Sequence, residues 1–238
     1  MRVRLYRMLL YDLITYQVPV EKIRLGTDGD GGYVIIPSMK YDLFLSAGLC
    51  DNVQFENDFL TVYKNTPCYA FDGTIQGLPP SSNPGIQWIK KNIGLVNSDR
   101  ETNLHEYLNS YRNIFVKMDI EGSEFDWMES CSKEQLETIK QLVIEVHWPI
   151  SYEKWSAIYS RLTETHWLVH VHGNNHCGCF YMENRPIPEV LELTYIRKKD
   201  WPVLNKNTRG FPWEEVDRKN YPTNDEHGLR GFPFEFNE

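Results

Sequence analysis

The chain has 238 residues, is 41% hydrophobic and 13% aromatic, and carries a formal net charge of −8. That composition excludes a disordered chain and suits one substantial core. The acidic balance argues against nonspecific nucleic-acid binding, which needs a basic surface to neutralise phosphates.

Met1–Tyr16 joins Arg2, Arg4 and Arg7 to Met8-Leu9-Leu10, loosely like a signal peptide. Asp12 interrupts the apolar run and no small-residue cleavage site follows, so an amphipathic cap helix is expected. No run reaches the roughly 18 apolar residues that span a bilayer. The five cysteines, at 50, 68, 131, 177 and 179, are odd in number and unevenly spaced, which points away from a disulfide framework and toward a reducing, cytoplasmic compartment.

Glu21–Pro37 (EKIRLGTDGDGGYVIIP) reads as a Gly-rich loop entering a short strand at Tyr33–Ile36. Asp28-Gly29-Asp30-Gly31 fails the calcium-loop pattern, with glycine at position 32 and no bidentate Glu beyond. It remains either a tight turn with positive φ or backbone laid close to a ligand. Tyr41–Gly48 is expected as the first core strand, Asn52–Tyr63 as a helix and Pro67–Phe71 as the second strand, ending in Asp72-Gly73. Ser46-Ala47-Gly48 followed by an acid at the next strand tip, 24 residues on, has the order of a nucleotide-type site. Glycine admits the ligand, and the carboxylate can accept from ribose hydroxyls.

Ile86–Ile93 is expected as a third strand, Asn103–Ser110 and Glu134–Ile139 as helices, and Leu142–His147 as a fifth strand. Tyr152–Thr163 is expected as a helix, Trp167–His172 as a sixth strand, and Val190–Ile196 as a last one, at an antiparallel edge. The Pro-, Gly- and Trp-rich tail from Lys198 should wrap the body irregularly. Strands separated by helical patterns call for an α/β fold with a mostly parallel sheet of about seven strands and helices on both faces. The whole is one domain: cap and Gly-rich loop over 1–40, core over 41–197, tail over 198–238.

The chemistry concentrates at Ile114–Glu124. Ile114, Val116 and Met118 alternate with Phe115, Lys117 and Asp119, a buried strand that ends in a carboxylate. Ser123 is placed to cap the next helix, with acids in its first turn. If this strand neighbours Leu142–His147, then Asp119, Glu145 and His147 meet at one rim, with Glu145 and His147 about 7 Å apart along one strand face. Two carboxylates and an imidazole suit Mg²⁺ or Mn²⁺; the plainer alternatives are a buried Glu145 paired with Lys117 or an arginine, and a satisfied core histidine. A rival cluster, His170–Cys179, contains Cys-x-Cys, but its spacing matches no standard zinc pattern. Within it, His172, Asn174 and Asn175 read better as polar groups at a strand tip facing a ligand.

Taken together, Lys117-Met118-Asp119-Ile120-Glu121-Gly122-Ser123-Glu124 resembles the K-x-D-x-E-G-x-E hallmark of the FkbM-like S-adenosylmethionine-dependent methyltransferases. Glu145-Val146-His147 looks like that group's following E-x-H strand, and Asp30-Gly31-Gly32-Tyr33 is similar to its DGGY segment. Ser46-Ala47-Gly48, Phe55-Glu56, Phe71-Asp72-Gly73-Thr74 and His172-Gly173-Asn174-Asn175 fall where related motifs stand. The resemblance spans roughly residues 21–197; Ala47 and Asp72 depart from the commoner residues. It implies a Rossmann-like class I methyltransferase fold and methyl transfer to a hydroxyl, often of a sugar or glycan. It also implies a cofactor pocket drawing on Ser46, Gly48, Glu56 and Asp72, with Asn92 and Ile93 bordering the adenine. Asp119 would stand beside the transferred methyl. For that chemistry a divalent cation at Asp119, Glu145 and His147 could lower the pKa of the acceptor hydroxyl, or, without metal, His147 or Asp119 could act as general base directly.

Two other readings stand beside this one. A nicotinamide-dependent oxidoreductase would want G-x-G-x-x-G after the first strand, which Ser46–Asp51 does not supply. An inactive sugar-binding or scaffolding module would use Trp201, Phe211, Trp213, Phe232 and Phe234 for stacking, unless those aromatics only anchor the tail.

Overall fold

The computed structural model describes residues 10–37, 39–147 and 152–236, with backbone alone for 152–158. Most of the expected N-terminal cap helix lies outside the described residues; Leu10, Tyr11 and Asp12 are helical.

Seven strands form the central sheet: β1 (Leu43–Ala47), β2 (Cys68–Phe71), β3 (Ile86–Ile89), β4 (Ile114–Met118), β5 (Ile139–His147), β6 (His166–Gly173) and β7 (Val190–Arg197). Their order across the sheet is 6-7-5-4-1-2-3. The pairs β1–β2, β2–β3, β1–β4 and β4–β5 are parallel, whereas β7 runs antiparallel to both its neighbours. An all-parallel dinucleotide-binding sheet has no such insertion between its fifth and sixth strands, which counts against the nicotinamide reading. The arrangement is a Rossmann-like class I methyltransferase fold.

Connections place α1 (Gln54–Val62) between β1 and β2, and α2 (His105–Ser110) before β4. Between β4 and β5 come α3 (Glu124–Ser130) and α4 (Lys133–Leu136), and α5 (Tyr152–Thr165) precedes β6. Alternation in the strands divides the core into two layers, as a sheet covered on both faces requires. Leu43, Leu45, Ile114, Val116 and Met118 join Phe125 and Trp127 of α3 and Leu162 of α5 on one side. Phe44 and Phe115 meet Phe55 and Phe59 of α1 on the other, with the Phe44 and Phe59 rings 4.1 Å apart.

Several expectations change. β7 is interior, because all its residues are buried and it pairs on both sides; β6 is the edge strand, and Thr15 bridges to its Leu168. The Tyr33 strand stays out of the sheet, pairing with Ile23–Leu25 as a hairpin. Side chains fasten that hairpin: Gln141 binds both N–H and C=O of Ile36, at 2.7 and 3.2 Å, and Thr194 Oγ1 donates to the Val34 carbonyl at 2.6 Å. The expected third strand breaks after Ile89, and Asn92–Ile93 pairs instead with Glu101–Thr102. The helix expected over Glu134–Ile139 shortens to α4, capped by a Ser132–Gln135 box, since Ile139 already belongs to β5. A hairpin of Cys179–Met182 and Arg185–Pro188 carried no strong signal in the sequence. The tail aromatics act as anchors: Phe211 and Phe234 are buried, and Trp213 and Phe232 pack against the core.

Candidate active site

The parallel register of β4 and β5 sets Met118 opposite Ile144, so Asp119, just past the end of β4, stands beside Glu145, still within β5. A cavity of about 580 Å³ opens at this carboxyl-terminal rim, lined among others by Gly48, Asp72, Asn92, Ile93, Lys117 and Asp119. Asp30 and Gly31 of the Gly-rich loop, Glu56 of α1 and Glu121 also line it. Gly31 has φ +79°, so the turn needs glycine and also brings backbone to the cavity.

Gly48 terminates β1 with φ +79°, and a Cβ there would lie 1.6 Å from the Asp119 carbonyl oxygen. The close packing of the β1 and β4 ends therefore depends on a residue without a side chain. Lys117 spends its ammonium on the Gly48 carbonyl at 2.5 Å and so does not pair with Glu145.

Asp72 sits at the tip of β2 with both oxygens engaged by loop groups. Oδ2 accepts from the N–H of Leu49 and Cys50 at 3.0 and 2.9 Å, and Oδ1 from the N–H and hydroxyl of Thr74 at 2.8 and 2.6 Å. Burial would raise its pKa, but these bonds outweigh it and hold the carboxyl below the ordinary value. Asp72 is thus a loop organiser as well as a cavity wall. Ser46 departs from expectation: it is fully buried beneath the cavity and donates to Glu56 Oε1 at 2.5 Å, holding that carboxylate rather than meeting a ligand.

Behind Asp119, the Tyr33 hydroxyl lies 3.0 Å from Asp119 Oδ2 and 3.2 Å from Glu145 Oε2. Asp119 Oδ1 is shielded from solvent and has no hydrogen-bond partner. His147 Nε2 lies 3.5 Å from Glu145 Oε1 and 3.4 Å from Glu121 Oε2, and its Nδ1 lies 3.4 Å from Glu124 Oε1. Burial first, then the charges of Asp119, Glu192 and Asp30, push the Glu145 carboxyl well above the usual carboxylate range. Burial lowers the His147 pKa, but Glu124, Asp119 and Glu121 more than reverse this and raise it. One donor atom each from Asp119, Glu145 and His147 falls within 4.8 Å of the others. Carboxylates gathered this tightly require a proton or a cation between them. The orphaned Asp119 oxygen and this donor set fit a hard divalent ion.

Glu124 takes the part expected of Ser123. No hydrogen bond from the Ser123 side chain caps α3; the buried Glu124 carboxylate accepts from Ile120 and Gly122 N–H at 2.9 and 3.2 Å, shaping the loop after Asp119. Three residues expected to face a ligand do not line the cavity. His172 is buried with both nitrogens engaged, by Glu192 at 3.0 Å and Glu226 at 3.2 Å. Asn175 ties down Tyr221 and Asn224 of the tail. Asn174 supports the site indirectly, donating to Glu145 Oε1 at 3.3 Å. A hydrogen-bonding side chain at a strand tip is as useful for holding a tail as for holding a ligand, and the residue types alone do not tell the two apart. Among the described residues, Cys177 and Cys179 join no cluster of three or more metal donors, and all five cysteines are free. Tyr33 and Asp30 are the site residues that periodicity missed; the DGGY segment was the available signal.

The His172 clamp predicts a pH dependence. Burial lowers its pKa, but Glu192 and Glu226 overcome this and raise it to about 10. The folded state therefore holds a proton that the unfolded chain releases near the ordinary histidine value, so the clamp's stabilisation is complete below pH ~6.5 and lost as pH rises toward 10. His172→Gln should lower the melting temperature strongly at pH 6 and little at pH 10. An equal loss at both would show that the imidazolium charge contributes nothing.

No protein-family model and no curated protein matches the sequence. Among solved structures, the chain is similar to a precorrin-6y C5,15-methyltransferase from Geobacter metallireducens GS-15. The identity is 9%, the match covers 68% of this chain and 84% of that one, and the TM-score is 0.35. So loose a superposition carries no information on activity, and the FkbM-like resemblance stands on its motifs alone.

Proposed function

We propose that this chain is an S-adenosylmethionine-dependent O-methyltransferase acting on a hydroxyl of a sugar or glycan, assisted by a divalent cation. One observation carries the reading: the Gly48–Asp72–Asn92 cavity and the Asp119–Glu145–His147 cluster share a wall, and that wall is Asp119. A cofactor pocket and a group able to take a proton or a cation thus adjoin at the strand ends, where open α/β sheets bind ligands.

S-adenosylmethionine, when bound, supplies an electrophilic methyl group, and a divalent cation held by Asp119, Glu145 and His147 supplies Lewis acidity toward the acceptor oxygen. The remaining work falls to the chain. Gly48 lets backbone approach the methionine part; Asp72 would accept from ribose hydroxyls in exchange for the Thr74 bonds that occupy Oδ1 here; Asn92 and Ile93 border the adenine. A sugar hydroxyl must lose its proton as the methyl arrives; where no cation occupies the cluster, Asp119 would take it through Oδ1, the oxygen that Tyr33 leaves free. His147, as a ligand of that cation, would be held neutral with its lone pair engaged, and so would not be the group that removes the proton.

Calorimetric titration with S-adenosylmethionine tests the pocket. Asp72→Ala should weaken binding by the loss of charge-assisted hydrogen bonds, each worth about 1.5–3 kcal/mol, or roughly 10- to 150-fold. Absence of binding to the unaltered protein would remove the reading, and unaltered affinity in Asp72→Ala would misplace the pocket. Methyl transfer to a panel of glycosides in EDTA, then with Mn²⁺ restored, tests the cation; full activity under chelation would exclude it.

A further inference from the structure

We infer that Tyr33 is a positioning residue for the Asp119–Glu145 pair: its buried hydroxyl ties down one oxygen of each carboxylate, so that the others, with His147, form a preformed seat for a divalent cation. This rests on the cation-assisted function proposed above.

The tyrosine is held in place independently of the acids it touches. Its residue is 1% exposed, its ring meets Phe55 edge-on at 5.7 Å, and the Lys117 ammonium lies 5.5 Å from the ring centroid. Its hairpin is bolted to the sheet through the main chain, by Thr194 on Val34 and by Gln141 on Ile36. The hydroxyl is therefore a fixed point set by β5 and β7, and the two carboxylates arrange themselves around it at 3.0 and 3.2 Å. One hydroxyl hydrogen between two carboxylate oxygens offsets their repulsion and fixes the rotation of each group. What it leaves over is specific: Asp119 Oδ1, shielded and unpartnered, and Glu145 Oε1, 3.5 Å from His147 Nε2 and 3.3 Å from Asn174 Nδ2. Those are the atoms a cation would need. Groups that orient metal ligands in this way are commonly worth about 10- to 100-fold in metal affinity. A tyrosine that served only to fill the core would not need its hydroxyl between two acids.

The test is Tyr33→Phe, which keeps the ring and removes the oxygen. Mn²⁺ affinity, read by calorimetry and by the electron paramagnetic resonance signal of free Mn²⁺, should fall by about 10- to 100-fold, while S-adenosylmethionine affinity stays close to that of the unaltered protein. Thr194→Val, which loosens the hairpin without touching either carboxylate, should move Mn²⁺ affinity in the same direction. Equal Mn²⁺ affinity in Tyr33→Phe and the unaltered protein overturns the inference and leaves the proposed function standing. Joint loss of Mn²⁺ and S-adenosylmethionine binding in Tyr33→Phe also overturns it, because the hydroxyl would then have a general structural role. An unaltered protein that binds S-adenosylmethionine but no Mn²⁺ removes the cation from the proposed function, and this inference with it.

Discussion

Asp119→Ala is expected to lower kcat for methyl transfer by about 10²- to 10⁴-fold, the usual contribution of a positioned proton acceptor, with S-adenosylmethionine affinity nearly unchanged. The separation follows from which atoms of Asp119 face which part of the site. Its backbone carbonyl, which packs on Gly48, survives the substitution; its carboxylate, beside Tyr33 and Glu145, does not. Stability should hold or rise, since Asp119 is second only to burial in pushing the Glu145 carboxyl upward, and removing it relieves a like-charge contact. Asp119→Asn separates charge from shape: the amide fills the same space but can neither take the proton nor serve as an anionic ligand, so it should be nearly as inactive. Single-turnover rates with a glycoside acceptor, alongside thermal melts, check both variants. Retained turnover in either would take Asp119 out of the chemistry.

Gly48→Ala should have the largest effect on stability. The residue sits at φ +79°, which costs an L-residue roughly 1–2 kcal/mol, and its new Cβ would lie 1.6 Å from the Asp119 carbonyl. Either β1 or β4 must shift to make room, and overpacking of this kind adds about 1–3 kcal/mol. The sum of about 2–5 kcal/mol corresponds to a fall in Tm of roughly 5–15 °C for a domain of this size. Because the shift moves the end of β4, S-adenosylmethionine affinity and turnover should fall together, unlike the split expected for Asp119→Ala. A Gly48→Ala protein with unaltered Tm would mean that the two strand ends are not packed as described.

Much of the sheet was legible in the sequence, and for a physical reason. β1, β2, β4, β5 and β7 are buried on one or both faces, so their apolar residues follow a period of two, and α1 shows the spacing of Phe55 and Phe59. The convergence of Asp119, Glu145 and His147 was also legible, conditional on β4 and β5 being neighbours, because parallel register carries the end of one strand to the end of the next. What failed were places where a local signal is satisfied by a distant partner. Ser123 has the residue type of a cap, yet the Glu124 carboxylate takes the loop amides. His172 and Asn175 have the residue types of a binding site, yet they hold the tail through Glu226, Tyr221 and Asn224. β7 has the look of an edge, yet pairing on both sides puts it inside.

The sequence alone therefore determined the layering of the chain, the glycine at the end of β1 and the three residues that meet at the β4–β5 rim. These depend on periodicity and on residues adjacent along a strand. Only the tertiary structure decided that Tyr33 stands between the two carboxylates and that Ser46 lies beneath the cavity. It also decided that the Asp72 oxygens are already engaged, and that one oxygen of Asp119 is left without a partner. Those facts turn on contacts between residues far apart in the chain, and no local pattern encodes which of several equally polar side chains will be packed against which.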